Sequence, residues 1–265
     1  MDGVSSIPLE LMDRDQIKLF TNRIDPDIVI YAAGNNSLRW NEENDKIAEK
    51  VHGSGVVSVL EATALQRIQA VYLSNSYVFD GHKGNYKETD LTLPSTVLGK
   101  AKTGGEGAIK SKTRNWAIVR SSPLLGRGTG RHLTFFDQMR MSLERGKPFE
   151  APANELHAFA TIYGLVDMIE RIIDTEEYGR VFHYGGKTRI NHFEMAQAFA
   201  RRFKYDPNLV QVAKPGTPPK PFEIDEVDYS LNSSDSARTL KLQPLLLEES
   251  FDLIEKNLIA NLRSL

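Results

Sequence analysis

Cysteine and histidine, the residue types that most often bind zinc, are respectively absent from this sequence and unfavourably spaced. The 265 residues include no cysteine, which excludes disulfide bonds, thiolate nucleophiles and cysteine-ligated metals. The histidines show no metal-ligand spacing, and even the close pair His183 and His192 falls on different predicted elements. The six histidines of the chain are His52, His82, His132, His157, His183 and His192. We therefore predict no metal site.

The overall composition is that of an ordinary globular protein. Charged residues make up 26% of the chain and hydrophobic residues 40%, which argues against disorder. A formal charge of −2 gives no general attraction to nucleic acid or to an anionic membrane surface. The first residues are too polar for a signal peptide, and no stretch approaches the roughly 18–20 apolar residues of a membrane span. We expect a cytoplasmic protein whose partners are neither nucleic acids nor membranes.

The amino-terminal half contains alternating predicted strands and helices. Three continuous apolar runs are typical of parallel strands that are buried on both faces. They span residues 28–33, 70–74 and 116–120. Apolar residues recur at helical spacing over 47–64, a further helix is expected at about 97–111, and Asp13 is placed to cap a short first helix. This succession predicts a parallel sheet with helices on both faces.

After Gly126 the pattern changes to shorter, mixed elements. Helices are expected at about 131–145, 163–174, 191–203 and 249–263, and strands at 181–184 and 209–212. The proline-rich stretch from Lys214 to Pro221 must be a loop, on the substrate side or the partner side, because proline removes backbone donors. We therefore expect an incomplete Rossmann-like nucleotide-binding region over 1–126. Residues 127–265 would form a mixed α+β substrate region, some of whose strands and helices return to the main sheet.

The run from Tyr72 to Gly81, Tyr-Leu-Ser-Asn-Ser-Tyr-Val-Phe-Asp-Gly, is the most specific pattern in the chain. It resembles the strand and loop of the dTDP-4-dehydrorhamnose reductase family, part of the extended short-chain dehydrogenase/reductase superfamily, which usually has Ser-Thr-Asp-Tyr-Val-Phe-Asp-Gly. Further segments resemble the family in the same order, so that the likeness spans about residues 7–263. They are 27–33, 86–94, 98–106, 118–126, 179–185, 192–196 and 230–235. The resemblance implies an α/β Rossmann-like fold, NADP or NAD as cofactor, and reduction of a 4-keto-6-deoxy sugar nucleotide.

The catalytic positions that this resemblance implies are altered. Family members carry a tyrosine and, four residues later, a lysine on one face of a helix, where the lysine lowers the pKa of the proton-donating tyrosine. Here the lysine is Lys102, but the tyrosine position is Leu98, which has no proton to give. The Ser or Thr that positions the substrate carbonyl is replaced by Asn75, and the usual Val-Asn pair reads Val51-His52. Three changes at one site predict a catalytically impaired or inactive protein.

The amino terminus lacks the family's cofactor anchor. Relatives open with a strand and a glycine-rich turn that holds the cofactor pyrophosphate at a helix amino terminus, whereas only Gly3 precedes Gly34 here. We expect an amino-terminally truncated member without the first βαβ segment, which leaves a hole in the sheet unless another chain or a rearranged terminus fills it. The remaining cofactor positions implied by the resemblance are Ala32, Ala33 and Gly34 at the ribose, Glu10 at the adenine, and Ser74, Lys102 and Pro123 near the nicotinamide.

Each of these assignments has an ordinary structural alternative. Lys102 could be a solvated helix lysine, Glu10 a surface carboxylate, and the small residues at 32–34 a simple packing site. Two functions stay open. One is an NADP-dependent sugar-nucleotide reductase with His52, Tyr77 or Tyr163 as a substitute proton donor. The other is a scaffold that binds a nucleotide-sugar-like molecule or a protein partner, in the role played by the related regulatory subunit of methionine adenosyltransferase. A homo-oligomer is compatible with both.

Overall fold

The computed structural model describes residues 5–62, 68–128, 133–214 and 226–262. Its helices are α1 (Arg14–Ile24), α2 (Leu38–Glu43), α3 (Asp45–Glu49), α4 (Gly55–Ala62), α5 (Val97–Lys112), α6 (Phe135–Glu144), α7 (Ile162–Asp174), α8 (His192–Arg202), α9 (Ser234–Leu240) and α10 (Leu247–Leu262). Its strands are β1 (Ile28–Tyr31), β2 (Gln69–Asn75), β3 (Trp116–Ser121), β4 (Leu124–Leu125), β5 (Phe149–Ala151), β6 (Glu155–His157), β7 (Ala160–Thr161), β8 (Arg180–Tyr184), β9 (Ile190–Asn191), β10 (Val210–Val212) and β11 (Val227–Asp228). A π-helical turn, Lys50–Ser54, joins α3 to α4.

The main sheet has four parallel strands in the order β1, β2, β3, β8. Tyr72 of β2 lies opposite Ile118 of β3, and Val119 of β3 lies opposite Phe182 of β8. The three strands expected in the amino-terminal half are confirmed, as is the parallel pairing. The predicted strand at 181–184 is β8, and it belongs to this sheet rather than to a separate region.

Helices cover both faces of the sheet, as the alternating pattern predicts. On one face, Tyr72 and Ile118 form an apolar cluster with side chains of α4 and α5. On the other face, Val119 and Phe182 pack with residues of α7 and α9. Neighbouring residues of one strand point to opposite faces, and both sides are buried. This arrangement accounts for the continuous apolar runs in the sequence.

Strand β1 forms one edge of the main sheet. We expected a hole within the sheet where the family's first strand would lie, and this was wrong, because β1, β2, β3 and β8 are contiguous. No described strand pairs with the outer edge of β1. Apolar side chains are exposed on and near this edge: Ile30 of β1 is 47% exposed, and on α1 Leu19 is 65% and Ile24 59% exposed.

The remaining elements form a second packed region beside the sheet. Strand β10 pairs with β5, and β6 lies between β9 and β11. Phe136 of α6, Phe199 of α8 and Phe251 of α10 are buried in one apolar cluster. Residues 215–225, which include most of the predicted proline-rich loop, lie outside the described residues. Among the helices that the structure describes, none combines the length and apolar character that crossing a membrane requires.

Candidate functional site

Helix α5 carries, on one buried face, Leu98 and Lys102, the positions that the resemblance assigns to the catalytic tyrosine and lysine. The Thr96 hydroxyl caps the helix by accepting from the Gly99 N–H at 3.0 Å, and Leu98, Lys102 and Glu106 follow at intervals of four residues, so they share a face. Leu98 is fully buried and Lys102 is 4% exposed. Gly99 lets the helix approach closely, because a Cβ there would lie 1.9 Å from the Tyr77 carbonyl oxygen. This contact sets α5 against the turn that follows β2.

The Lys102 amine forms a hydrogen bond within the protein. Its Nζ donates to the Leu73 carbonyl oxygen at 2.7 Å and lies 5.2 Å from the centre of the Tyr72 ring. Burial lowers the pKa of Lys102 to about 7, while the nearby Glu106 carboxylate opposes that shift. The alternative interpretation of Lys102 as a solvated helix lysine is therefore wrong.

The polar residues after β2 have local partners. Ser74 donates its hydroxyl hydrogen to Glu106 Oε1 at 2.7 Å, and Asn75 Oδ1 accepts from the Tyr77 N–H at 3.1 Å. The Asn75 side-chain nitrogen and the Ser76 hydroxyl are buried without a hydrogen-bond partner. Asn75 thus caps the turn through its oxygen, and its NH₂ group is left without a partner at the position where the resemblance predicts a hydroxyl.

A buried ion pair joins α5 to β3, and the sequence reasoning missed it. Glu106 and Arg120 are each 3% exposed, and the guanidinium donates twice to the carboxylate, Nε to Oε1 at 2.9 Å and Nη2 to Oε2 at 2.7 Å. Arg120 Nη1 lies 3.5 Å from His183 Nε2. Glu106 therefore links Ser74 to Arg120 and holds three elements together beneath the site.

Two tyrosine hydroxyls support the π-helical turn before α4. Tyr31 donates to the Val51 carbonyl oxygen at 2.5 Å, and Tyr72 donates to the His52 carbonyl oxygen at 2.9 Å. Turns of this kind shift the backbone hydrogen-bonding pattern and leave carbonyls in need of other partners. The turn places the His52 ring against Gly34, where a Cβ would lie 2.0 Å from the imidazole Cε1. His52 thus covers part of the small-residue surface at the end of β1.

We expect Tyr72→Phe to lower the free energy of unfolding by about 1–3 kcal/mol, the usual cost of leaving a buried acceptor without its donor. Urea denaturation would measure the change. Tyr178→Phe is a matched control because its hydroxyl donates to Gln69 in a partly buried position, and it should cost less. Equal losses in the two variants would contradict the role of Tyr72 in holding the π-helical turn.

The predicted cofactor positions are only partly brought together. Ala32, Ala33 and Gly34 follow β1 and Pro123 follows β3, so they lie at the same edge of the sheet as Ser74 and Asn75. Ala32 and Gly34 are exposed and Ala33 is half-buried.

Glu10, assigned by resemblance to the adenine, makes local contacts. One of its carboxylate oxygens accepts from the Met12 N–H, and its own N–H donates to Gln16. Its side chain therefore supports the turn before α1, which agrees with the surface-carboxylate alternative.

The three candidate proton donors differ in their surroundings. Burial and the charge of Lys102 lower the pKa of His52 to about 4, so its buried ring is neutral near pH 7. Tyr77 donates to Glu155 Oε2 at 3.2 Å, and burial together with that carboxylate raises its pKa well above the ordinary value. Burial also raises the pKa of Tyr163, although the charge of Arg127 opposes the shift. None of the three is tuned towards giving up a proton near neutral pH.

The parallel sheet with helices on both faces places the protein in the Rossmann-like α/β class. The chain belongs to the RmlD substrate binding domain family, whose model matches residues 2–243. This confirms the resemblance to dTDP-4-dehydrorhamnose reductases.

Curated relatives include a dTDP-4-dehydrorhamnose reductase of Aggregatibacter actinomycetemcomitans, 27% identical over 198 residues. The match covers 72% of this chain and 66% of that enzyme, so the chain spans about two thirds of the relative's length. The methionine adenosyltransferase 2 subunit beta of Xenopus laevis is 22% identical over 74% of this chain and 60% of that protein.

A solved dTDP-4-dehydrorhamnose reductase of Bacillus anthracis in complex with NADP has a TM-score of 0.82 to this chain. It is 21% identical, and the match covers 94% of this chain and 87% of that one. The likeness establishes that the two share a fold.

Proposed function

We propose that this protein is a catalytically impaired or inactive member of the RmlD family that acts as a binding or regulatory scaffold. The observation that carries the proposal is the identity and the contacts of the side chains on the buried face of α5. Leu98 supplies no proton, and Lys102 donates its amine to the Leu73 carbonyl rather than to a neighbouring hydroxyl. A ketone reductase of this family type needs a proton donor beside the hydride acceptor, and the described residues offer no tyrosine at that position.

The residues present do not fit a tightly held dinucleotide. In relatives, backbone amides of a glycine-rich turn at a helix amino terminus bind the pyrophosphate, whereas the described residues before Gly34 include no glycine. The His52 ring also lies against Gly34, on the surface assigned to the ribose. We derive no hydride-transfer step for this chain.

The outer edge of β1, with which no described strand pairs, favours a protein partner over a purely structural role. An unpaired strand edge and exposed apolar side chains are typical of surfaces that recruit another chain. Ile30, Leu19 and Ile24 supply such side chains here. A partner that covers them would make this protein a subunit of a larger assembly, as the name of the Xenopus relative, a subunit beta, indicates for that protein.

We expect the purified chain to show no NADPH oxidation above background with dTDP-4-dehydrorhamnose. The assay follows the loss of NADPH absorbance, and the Bacillus anthracis reductase run alongside proves that substrate and cofactor are competent. Lys102→Met is the matched variant, and its rate should equal that of the parent chain. Turnover that depends on Lys102 would refute the proposal and establish the reductase alternative.

Calorimetric titration with NADPH separates two forms of the proposal. Absence of heat up to about millimolar cofactor, corresponding to a binding free energy weaker than about −4 kcal/mol, is the expected result. Micromolar binding without turnover would mean that the cofactor pocket has been rebuilt for binding alone.

A further inference from the structure

A large cavity opens beside the carboxyl end of β8, at the opposite edge of the main sheet from β1. Its volume is about 750 Å³, within the range of roughly 300–1,000 Å³ for small-molecule sites. Gly186 and Lys187, just after β8, form one wall, and residues of α9 form another. Three strand spacings separate β8 from β1, or roughly 14 Å. None of the residues that line the cavity belongs to the candidate site at the ends of β1, β2 and β3, so the two are distinct.

The charged residues around this cavity are all cations. No aspartate or glutamate is among the lining side chains, whereas four basic residues are. They are Lys187, Arg189, Arg238 and Lys241. Arg189 pairs with Asp228 and Arg238 with Asp235. Lys187 and Lys241 are exposed and have no ion-pair partner within the described residues. The wall thus carries two uncompensated positive charges.

Three neutral polar side chains that line the cavity already accept a hydrogen bond from a backbone N–H. Ser230 Oγ accepts from the Asn85 N–H at 2.8 Å, and Ser233 Oγ accepts from the Gly185 N–H at 2.7 Å. The two serines are only 3% and 8% exposed, so their orientation is set by the surrounding fold. Each hydroxyl hydrogen remains to be donated. Asn232 is similar, because its Oδ1 accepts from the Ser234 N–H at 3.0 Å. Its NH₂ group remains available to donate a hydrogen bond.

A wall with free donors and uncompensated cations suits a ligand that only accepts hydrogen bonds and carries negative charge. Phosphate oxygens have both properties. An uncharged sugar would leave both positive charges uncompensated, and a cation would be repelled. The volume leaves room for an organic group attached to the phosphate.

We propose that this cavity binds a phosphate-bearing small molecule of about mononucleotide size, through Lys187, Lys241 and the hydroxyls of Ser230 and Ser233. The site does not depend on the dinucleotide region or on catalysis, so it stands whether or not the scaffold function holds. In this arrangement the lysines supply charge and the serines fix the position of the phosphate.

The test is calorimetric titration of the full chain with inorganic pyrophosphate, ADP and adenosine at low ionic strength. We expect pyrophosphate and ADP to bind and adenosine not to bind. The double variant Lys187→Glu and Lys241→Glu should weaken binding at least about tenfold, since each 1.4 kcal/mol of lost interaction corresponds to a factor of ten. The matched control, Lys18→Glu with Lys147→Glu, makes the same charge change at two exposed positions away from the cavity and should change the affinity little.

Tighter binding of ADP than of pyrophosphate would show that the organic group is also recognised, and equal binding would assign recognition to the phosphates; both support the proposal. Three results would overturn it. They are no binding of either phosphate at millimolar concentration, binding of adenosine as tight as that of ADP, and equal weakening by the two double variants.

Discussion

Replacing Glu106 with Gln should lower the free energy of unfolding by about 3–5 kcal/mol, the cost of leaving a buried charge without its partner. Glu106 receives two guanidinium hydrogen bonds from Arg120 and one from the Ser74 hydroxyl. A neutral amide cannot compensate the buried guanidinium, and its NH₂ group would face donors. The substitution would weaken the packing of α5 against both β2 and β3, because the Glu106 carboxylate on α5 accepts hydrogen bonds from both strands.

Urea denaturation of E106Q beside the parent chain measures this effect. Glu61→Gln is the matched control, since Glu61 pairs with Lys112 and Arg14 at the exposed surface, and its unfolding curve should stay close to that of the parent. Adding Arg120→Met to E106Q removes the uncompensated cation and should recover part of the loss. A small effect of E106Q alone, equal to that of the control, would mean that Arg120 finds other partners.

The regular elements that position the site were predictable because their signals are local. Asp13 was expected to cap a first helix, and its Oδ1 accepts from the Gln16 N–H at 2.9 Å at the start of α1. The helix expected at 97–111 is α5 (Val97–Lys112), so Leu98 and Lys102 do lie on one face. Helical spacing alone also places Glu106 on that face, so its position beside Lys102 was predictable from the sequence.

The contacts that decide the chemistry were not predictable, because they depend on residues far apart in the chain. Nothing in the spacing of Lys102 indicates that its amine meets the Leu73 carbonyl, or that Arg120 in a buried strand pairs with Glu106. The π-helical turn at Lys50–Ser54 also has no signature in the sequence. It is stabilised by hydroxyls from β1 and β2, which become neighbours only once the sheet has formed.

The buried histidines make the stability of this protein sensitive to mild acid. Burial lowers the pKa of His52 to about 4, and the pKa values of His183 and His192 to about 3. The nearby charges of Lys102, Arg120 and His157 lower them in the same direction.

The sign of the effect follows from proton binding. Between about pH 4 and pH 6.5 the unfolded chain binds protons at these rings and the folded chain does not, so stability falls as the pH falls. Above pH 6.5 all three contributions are fully present.

We expect the free energy of unfolding to fall by several kcal/mol between pH 6.5 and pH 5. One pKa unit corresponds to 1.36 kcal/mol, so each ring contributes about 2 kcal/mol over this interval. The pKa of Lys102 is lowered from 10.5 to about 7. Lys102 therefore makes the stability depend on pH only between these two values, above the interval from pH 5 to pH 6.5. The carboxylates with lowered pKa values, such as Glu155 and Asp137, lose their contributions below it.

His192→Phe isolates one ring of the three. His192 lies between the rings of Phe135 and Phe159, 4.9 and 4.8 Å away centre to centre, and its Nδ1 has no hydrogen-bond partner, so phenylalanine suits its apolar surroundings. Urea titrations at several pH values should show the pH slope of H192F reduced by about a third, because one of three protonations is removed. His82→Gln changes an exposed imidazole and should leave most of the slope in place. A slope unchanged in H192F would mean that His192 takes up its proton in the folded protein, and that burial among aromatic rings does not keep it neutral.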